Sequence, residues 1–407
     1  MCFGLHPIPV GSFVFSFYRD GIMVRSLILL GLLTLILGCS QKDPYVPPDL
    51  LYLFKSYPVG KNPTSIKTGD FNQDGFTDLI TSNISSNSLS ILFGNGDGSF
   101  QNQVPIQVCR EPRNLAVEDF NMDQHLDLAL ACSGSSQVVI FLGKGDGTFK
   151  KGAQYPVNRT PVSIASGDFN GDQKLDLAVA LRNDKLQILF GTGNGRFRIG
   201  PLYVHGDKPT SVATADLNRD GYLDLAVTNG GPMSSAVSIW LGQGDGTFLE
   251  PTDYRTGKRP LSVSFADFNT DGSLDLLVIN GQMNTITVFL GNGDGTFQEG
   301  IDSGGDAGPM QGLAQDFNGD KIPDVAVVNS QSGSVSVLFG KGDGTFQYPP
   351  RNYRTPRGPF ALTSLLVAAD RGDQPGLAIA NNSGNSVSIF LHHGLKTRAG
   401  RKVSAGL

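Results

Sequence analysis

The sequence predicts an all-β fold, a seven-bladed β-propeller of four-stranded blades, from three observations. A nine-residue Asp-rich string recurs six times, starting at Asp70, Asp119, Asp168, Asp216, Asp267 and Asp316, at intervals of 49, 49, 48, 51 and 49 residues. Each copy is followed by two apolar runs of strand length, as in Leu225-Ala226-Val227 and Val237 to Leu241, with a polar turn between them. A glycine hairpin such as Gly244-Asp245-Gly246-Thr247-Phe248 then closes the unit. Short apolar runs bounded by turn residues are strands. A fixed period with several strands per unit is the mark of blades that bury their faces on one another. The 52 glycines among 407 residues and only 17% charged residues exclude coiled coil, helical bundle and disorder. A net charge of −5 disfavours a basic nucleic-acid binder, so no nucleic-acid partner is expected.

From the N-terminus, Met23-Val24-Arg25 opens a basic region, Leu27 to Leu37 is apolar, and Ile36-Leu37-Gly38-Cys39 closes it. This reads as an export signal over residues 23–38, because the apolar run is well short of the roughly 20 residues a membrane-spanning helix needs. The closing tetrad resembles a bacterial lipobox. That resemblance implies cleavage before Cys39, lipidation of Cys39, and a lipid-anchored place in the cell envelope, at the outer membrane or cell surface. The signal is complete from Met23, so residues 1–22 read as an upstream extension, and residues 39–50 with their prolines as the lipidated cysteine and its tether.

The repeats span 51–393 as one domain. In each string, hard oxygens stand at positions 1, 3, 5 and 9: Asp70, Asn72, Asp74, Asp78; Asp119, Asn121, Asp123, Asp127; Asp168, Asn170, Asp172, Asp176; Asp216, Asn218, Asp220, Asp224; Asp267, Asn269, Asp271, Asp275; and Asp316, Asn318, Asp320, Asp324. Calcium takes six to eight such oxygens from a tight loop, and three carboxylates this close repel one another without a cation. Up to six Ca²⁺ are therefore expected. These strings carry 18 of the 37 acids, so the rest of the chain is basic. The first five positions match an EF-hand loop, but position 12 lacks Glu and no helical periodicity flanks it. Gly75, Gly221 and Gly272 hold position 6, where a left-handed backbone is expected; Gln124, Gln173 and Lys321 hold it elsewhere at a cost of roughly 1 kcal/mol, which predicts weaker sites there. The plainer alternative is that the acids cap turns on backbone amides with no metal.

A seventh unit keeps two strands, Leu377 to Asn381 and Ser386 to Leu391, but its loop has lost the ligand spacing and no glycine hairpin follows. Leu51 to Pro63 matches the missing outer strand and its following loop. The N-terminal strand should therefore complete the last blade, which closes the ring without an open edge. The basic segment 394–407 reads as a flexible tail. Arg371-Gly372-Asp373 spells an integrin-recognition tripeptide, but it falls in the eroded loop and is taken as incidental.

Together the Asp strings and the Phe93-Gly94, Phe190-Gly191 and Phe339-Gly340 pairs, with Leu142-Gly143, Leu241-Gly242 and Leu290-Gly291 as variants, resemble the FG-GAP/VCBS repeats of integrin-type propellers and exported bacterial proteins. The Gly-Ala-Pro half is absent, which makes the VCBS branch the nearer likeness. The resemblance covers residues 51–393. It implies Ca²⁺ at the six loops and a role in adhesion or in binding sugars or proteins.

The face opposite the Asp loops collects the fourth-to-first-strand loops, with Lys61, Arg110, Arg113, Arg159, Lys208, Lys258, Arg259 and Arg357. The second-strand ends add Asn83, Asn183, Asn229, Asn280, Asn329 and Asn381. Of the cations, Lys61, Arg113, Arg159, Lys208, Arg259 and Arg357 are the candidate ligand-binding residues, suited to an anionic or hydroxyl-rich ligand; the alternative is that such loops are polar anyway. Cys109 and Cys132 fall on the same face of blade two and adjacent strands, within bridging reach, with two isolated thiols as the alternative. The best reading is a calcium-binding, membrane-tethered interaction or adhesion module for a glycan or protein partner. The alternative is a polysaccharide lyase or hydrolase on the same scaffold. An enzyme needs a convergent acid/base set. His6, His125, His205, His392 and His393 do not cluster in the repeat map, and Trp240 sits in a blade strand, so no catalytic residue is assigned.

Overall fold

A computed structural model describes residues 50–232, 234–367 and 374–393. The export signal, Cys39, most of the tether, the Arg-Gly-Asp tripeptide and the segment from 394 onward lie outside the described residues. The rest is seven four-stranded antiparallel sheets arranged as the blades of a propeller. In blade one the strands are Pro63–Gly69, Asp78–Asn83, Ser88–Leu92 and Val104–Gln107, from the axis outward. The next five blades repeat this order, with inner strands Pro112–Glu118, Pro161–Gly167, Pro209–Ala215, Pro260–Ala266 and Pro309–Gln315. The seventh has inner strand Pro359–Val367 and, as its outer strand, the N-terminal Leu51–Pro58, which pairs antiparallel with Ser386–His392 from Leu51 opposite His392 to Pro58 opposite Ser386.

The second strand of each complete blade, such as Asp127–Cys132, is buried along its whole length. That is why it reads as a continuous apolar run and not an alternating one: a neighbouring blade covers each face. The apolar clusters accordingly belong to pairs of blades. One joins Ile80, Leu89 and Ile91 of blade one to Leu115, Leu128, Leu130 and Val139 of blade two. In four of the six Asp loops the aromatic residue at position 2 packs edge-on against the hairpin aromatic of the next blade, as Phe71 on Phe149 at 5.9 Å and Phe268 on Phe346 at 5.8 Å between ring centres.

Every inner strand starts with a proline. Its missing N–H costs nothing at a strand start. In all seven blades the register slips immediately after that proline, as between Pro112 and Asn114, leaving one bulged residue. A bulge re-aims a side chain, and these seven point at one place described below.

Cys109 and Cys132 are joined, with Cα atoms 5.9 Å apart. The N-terminal strand closes the ring in two ways. Besides its ladder to Ser386–His392, its Tyr57 hydroxyl accepts the Phe100 amide of blade one at 2.8 Å. Removing residues 51–58 should leave Ser386–His392 as an unpaired edge. We expect a lower melting temperature and concentration-dependent self-association in size-exclusion chromatography. A variant that stays monomeric with an unchanged melt would show that the strand does not close the ring.

Candidate functional site

On the first face, the Asp loops share one geometry. The position-1 carboxylate accepts the position-6 amide, at 2.7–3.0 Å in all six loops, for example Gly75 N to Asp70 Oδ2 at 2.8 Å. The position-3 amide oxygen accepts the position-5 amide, and the position-5 carboxylate accepts the position-7 amide, again in all six. Position 6 is left-handed everywhere, with φ near 86° at Gly221 and Gly272 but also 67° at Gln124, 62° at Gln173 and 71° at Lys321. The strain expected at the three non-glycine loops is therefore present.

Position 9 has a second role that its spacing does not reveal. Asp78, Asp127, Asp176, Asp224, Asp275 and Asp324 are fully buried. Each grips two backbone amides, one at position 2 of its own loop and one at the glycine ending the third strand. For Asp224 these are Leu217 N and Gly242 N, both at 2.8 Å. The same pair of bonds recurs for the other five. The glycine is obligatory. A Cβ on Gly94, Gly143, Gly191, Gly242, Gly291 or Gly340 would strike the position-8 carbonyl, such as that of Thr77 or Leu223. From the other side, in the first five loops the hairpin of the following blade donates to the position-2 carbonyl, as Gly147 N to Phe71 O at 2.9 Å, and in the sixth the His392 ring of blade seven meets Phe317 O at 2.8 Å.

Two facts bear on a metal here. The donors are hard oxygens, which calcium takes, and carboxylate oxygens that accept a single amide, such as Asp216 Oδ2 and Asp220 Oδ1, keep a lone pair, whereas Asp168 Oδ1 accepts three amides and Asp119 Oδ1 two. Yet among the described residues no three acidic, imidazole or thiol side chains gather about one point. The loops are thus chemically suited to a hard cation and at the same time held by their own amides.

Burial pushes the position-9 carboxyls up, to about 7 at Asp78 and Asp324 and about 6 at Asp127, Asp176 and Asp224; the two amides pull down, and the carboxylates at positions 1 and 5 add to the rise. Asp275 shifts the same way.

On the opposite face the inner strands surround a central cavity of about 280 Å³. All seven bulged residues line it: Thr64, Arg113, Val162, Thr210, Leu261, Met310 and Phe360. Lys67, Arg182 and Arg259 line it as well. Of the candidate ligand residues, Arg113 and Arg259 are therefore brought together, whereas Lys61, Arg159, Lys208 and Arg357, with Arg110 and Lys258, are exposed but not part of the lining. Lys67 and Arg182 were missed by sequence reasoning. Lys67 gave one signal, a long cation at an inner-strand place where the next three blades have Ala116, Ala165 and Ala213; Arg182 gave none. Lys67 is reached by channel water although protein surrounds it, and that enclosure lowers its pKa against the opposing pull of Glu118. Arg113 is lowered by burial and by the neighbouring Arg182 charge, with Glu111 acting the other way.

The asparagines do not form a ligand ring. Asn83, Asn229, Asn280, Asn329 and Asn381 are buried. Their amide groups donate to third-strand hydroxyls, as Asn329 Nδ2 to Ser336 Oγ at 2.8 Å and Asn280 Nδ2 to Thr287 Oγ1 at 2.7 Å. The second strand is the most enclosed in the blade, so its last residue lies inside and not on the rim. Asn183 differs, bonding Asn158 at 2.9 Å on the surface.

In comparison with known proteins, the model for the FG-GAP-like repeat matches six times, over residues 70–130, 119–179, 168–227, 216–278, 267–327 and 316–373. No curated protein matches the sequence. Among solved structures, BBS1N in complex with ARL6DN is 12% identical with a TM-score of 0.60, covering 86% of this chain and 99% of that one. A streptogramin B lyase is 16% identical with a TM-score of 0.58, covering 84% and 98%. A lectin of Agrocybe aegerita that recognises non-reducing terminal N-acetylglucosamine is 18% identical with a TM-score of 0.50, covering 70% and 79%. At these identities the likeness is one of fold.

Replacing Asp224 with Ala should strand two buried amides and cost roughly 2–4 kcal/mol in urea denaturation, whereas Asp220→Ala, at an exposed turn, should cost about 1 kcal/mol or less. Equal effects would remove the distinction between the two positions. The raised carboxyls also fix a pH trend. Their folded pKa lies above the unfolded value, so between about pH 4 and pH 7 the folded chain keeps protons the unfolded chain has lost, and stability falls as pH rises. In chelator, calorimetry should give a higher melting temperature at about pH 5 than at about pH 7.5; the reverse order would contradict it.

Proposed function

The chain belongs to the FG-GAP-like repeat family, and on that footing we propose that it is a calcium-binding, membrane-tethered interaction module of the cell envelope that holds a glycan or protein partner on the face opposite its Asp loops. The observation that carries this reading is a cavity at the centre of a closed ring, lined by four cations, Lys67, Arg113, Arg182 and Arg259, whose side chains make no hydrogen bond or ion pair with a described residue. Unpaired charge held in a concave, partly enclosed place attracts a ligand of opposite sign more strongly than the same charge on an open surface. The lining offers donors and apolar contact, which is equipment for holding a molecule. Two proteins of like fold lend support: one stands in a complex with a protein, ARL6DN, and the other recognises a sugar.

Support for calcium comes from the hard-oxygen donor set at positions 1, 3 and 5 of each loop, exemplified by Asp216, Asn218 and Asp220, with position 9 able to share its remaining lone pairs. A bound ion would neutralise the clustered carboxylates and stabilise the folded form by mass action. Because each loop also touches the next blade through its position-2 residue, ions there would stiffen the seams between blades. The export signal and Cys39 supply the tether in this reading, with the propeller displayed beyond it.

The full chain, stripped with chelator and titrated with Ca²⁺, should take up several ions and melt at a higher temperature; Asp216→Ala with Asp220→Ala should lose one site and keep the others. No uptake at millimolar Ca²⁺ would end the calcium claim. A glycan array with the same protein tests the partner. Saturable binding without turnover supports a binding module, and reproducible cleavage of a polysaccharide would replace it with an enzyme.

A further inference from the structure

We propose that the central cavity is a site for a small amphiphilic anion, a carboxylate or similar group on an apolar body, and not for a hydroxyl-rich ligand. The inference deepens the binding-module reading and rests on it. It starts from the ring of bulged residues. Going round the axis, blades one to four contribute Thr64, Arg113, Val162 and Thr210, and blades five to seven contribute Leu261, Met310 and Phe360. Arg182 and Lys67 stand on the first side too, on blades three and one. Arg259 stands just before Pro260 at the entry to blade five, so the cations run from blade one to the edge of blade five, and the bulged residues of blades five to seven form an apolar wall.

The lining threonines and part of the amide layer are already used. Thr64 Oγ1 donates to Arg113 O and Thr210 Oγ1 to Pro260 O, each at 2.8 Å. The next layer is tied blade to blade, with Ser163 Oγ accepting Val212 N at 3.2 Å, Asn114 Oδ1 accepting Ile164 N at 3.1 Å and Gln311 Oε1 accepting Leu362 N at 3.1 Å. A sugar, which needs many neutral donors and acceptors, would find few of them free, Ser211 and Ser262 among them. The cationic side chains are the charged groups left without a partner. The Nε of Arg113 is buried without a partner, and the side chain of its neighbour Arg182 also makes no bond to a described residue. Two guanidiniums side by side repel each other, so an anion between them relieves that repulsion and gains charge-assisted hydrogen bonds. Acidic groups lie near but apart: Glu111 acts on Arg113, and Glu118 acts on Lys67 while bonding Ser166 at 3.1 Å.

Across the cavity Leu261, Met310 and Phe360 are only half buried. Apolar side chains left partly wet in a concavity gain by covering, which a ligand's apolar body supplies. The volume of about 280 Å³ is below the usual range for drug-sized ligands, which starts near 300 Å³, and sets the ligand as small.

Calorimetry on the full chain would use 4-phenylbutyrate as the probe, with its neutral amide and inorganic sulfate as comparisons. The carboxylate should bind saturably, and the amide and sulfate each at least about tenfold more weakly. Arg182→Gln, at an exposed position that should leave folding intact, should weaken the carboxylate by about tenfold. Met310→Gln should weaken it while leaving the weak sulfate signal unchanged, and Lys341→Gln, on the other face, should do nothing. Equal binding of the amide, equal binding of sulfate, or no saturable heat from the carboxylate at millimolar concentration would each overturn the proposal. If the carboxylate fails while the glycan array shows binding, only this inference falls; if both fail, the binding-module reading falls with it.

Discussion

Six buried aspartates, each closing on two backbone amides, are the constraint from which the rest of this propeller follows. A carboxylate in an apolar interior is tolerable only when its oxygens are occupied. Position 9 meets that condition by drawing the Asp loop and the end of the third strand together. The bond to the position-2 amide shapes the loop, and the bond to the glycine amide fixes where the hairpin departs. Since the next blade's hairpin then donates to the position-2 carbonyl, one side chain organises both its own blade and the contact with its neighbour. The obligatory glycine, the buried position-2 aromatic and the edge-on ring contacts are all arranged around that junction.

The two faces of the ring are consequently unlike in kind. The loop face is saturated with local hydrogen bonds repeated almost without change from blade to blade. The opposite face is built on bulges, where one residue per blade escapes the ladder, and there the blades diverge: threonine, arginine, valine, threonine, leucine, methionine, phenylalanine. Repetition serves the scaffold on one side. Variation on a fixed geometry is confined to the other.

Much of this was legible in the sequence because repetition makes weak signals strong. The Asp strings, the paired apolar runs and the orphaned strand at Leu51 located the blades and the ring closure. The left-handed sixth position was readable from Gly75, Gly221 and Gly272, and it holds at Gln124, Gln173 and Lys321 as well. What stayed hidden depends on contacts between units. The need for Gly94 or Gly242 lies in a carbonyl at the start of the adjacent strand. Asn329 and its counterparts looked like a surface ring because they end strands, but the blades stack so closely that a strand end is interior. The bulge after each proline has no residue signature of its own, so nothing distinguished Arg113 from the neighbouring loop cations, and Lys67 and Arg182 enter the cavity only once seven inner strands are brought to a common axis.

The borrowed outer strand has a consequence for how the molecule is made. The first segment of the propeller to leave the ribosome, Leu51–Pro58, finds its ladder partner only in Ser386–His392, the last strand of the propeller. Contacts that span so much chain are slow to form because the closure entropy must be met before they repay it. Intermediate blades can assemble in turn during emergence, yet the wheel stays open, with sticky rims at both ends, until the strand Ser386–His392 has been made. Under the export proposed above, that delay would leave an unclosed array threadable while it crosses a membrane, with its final rigidity acquired only on the far side.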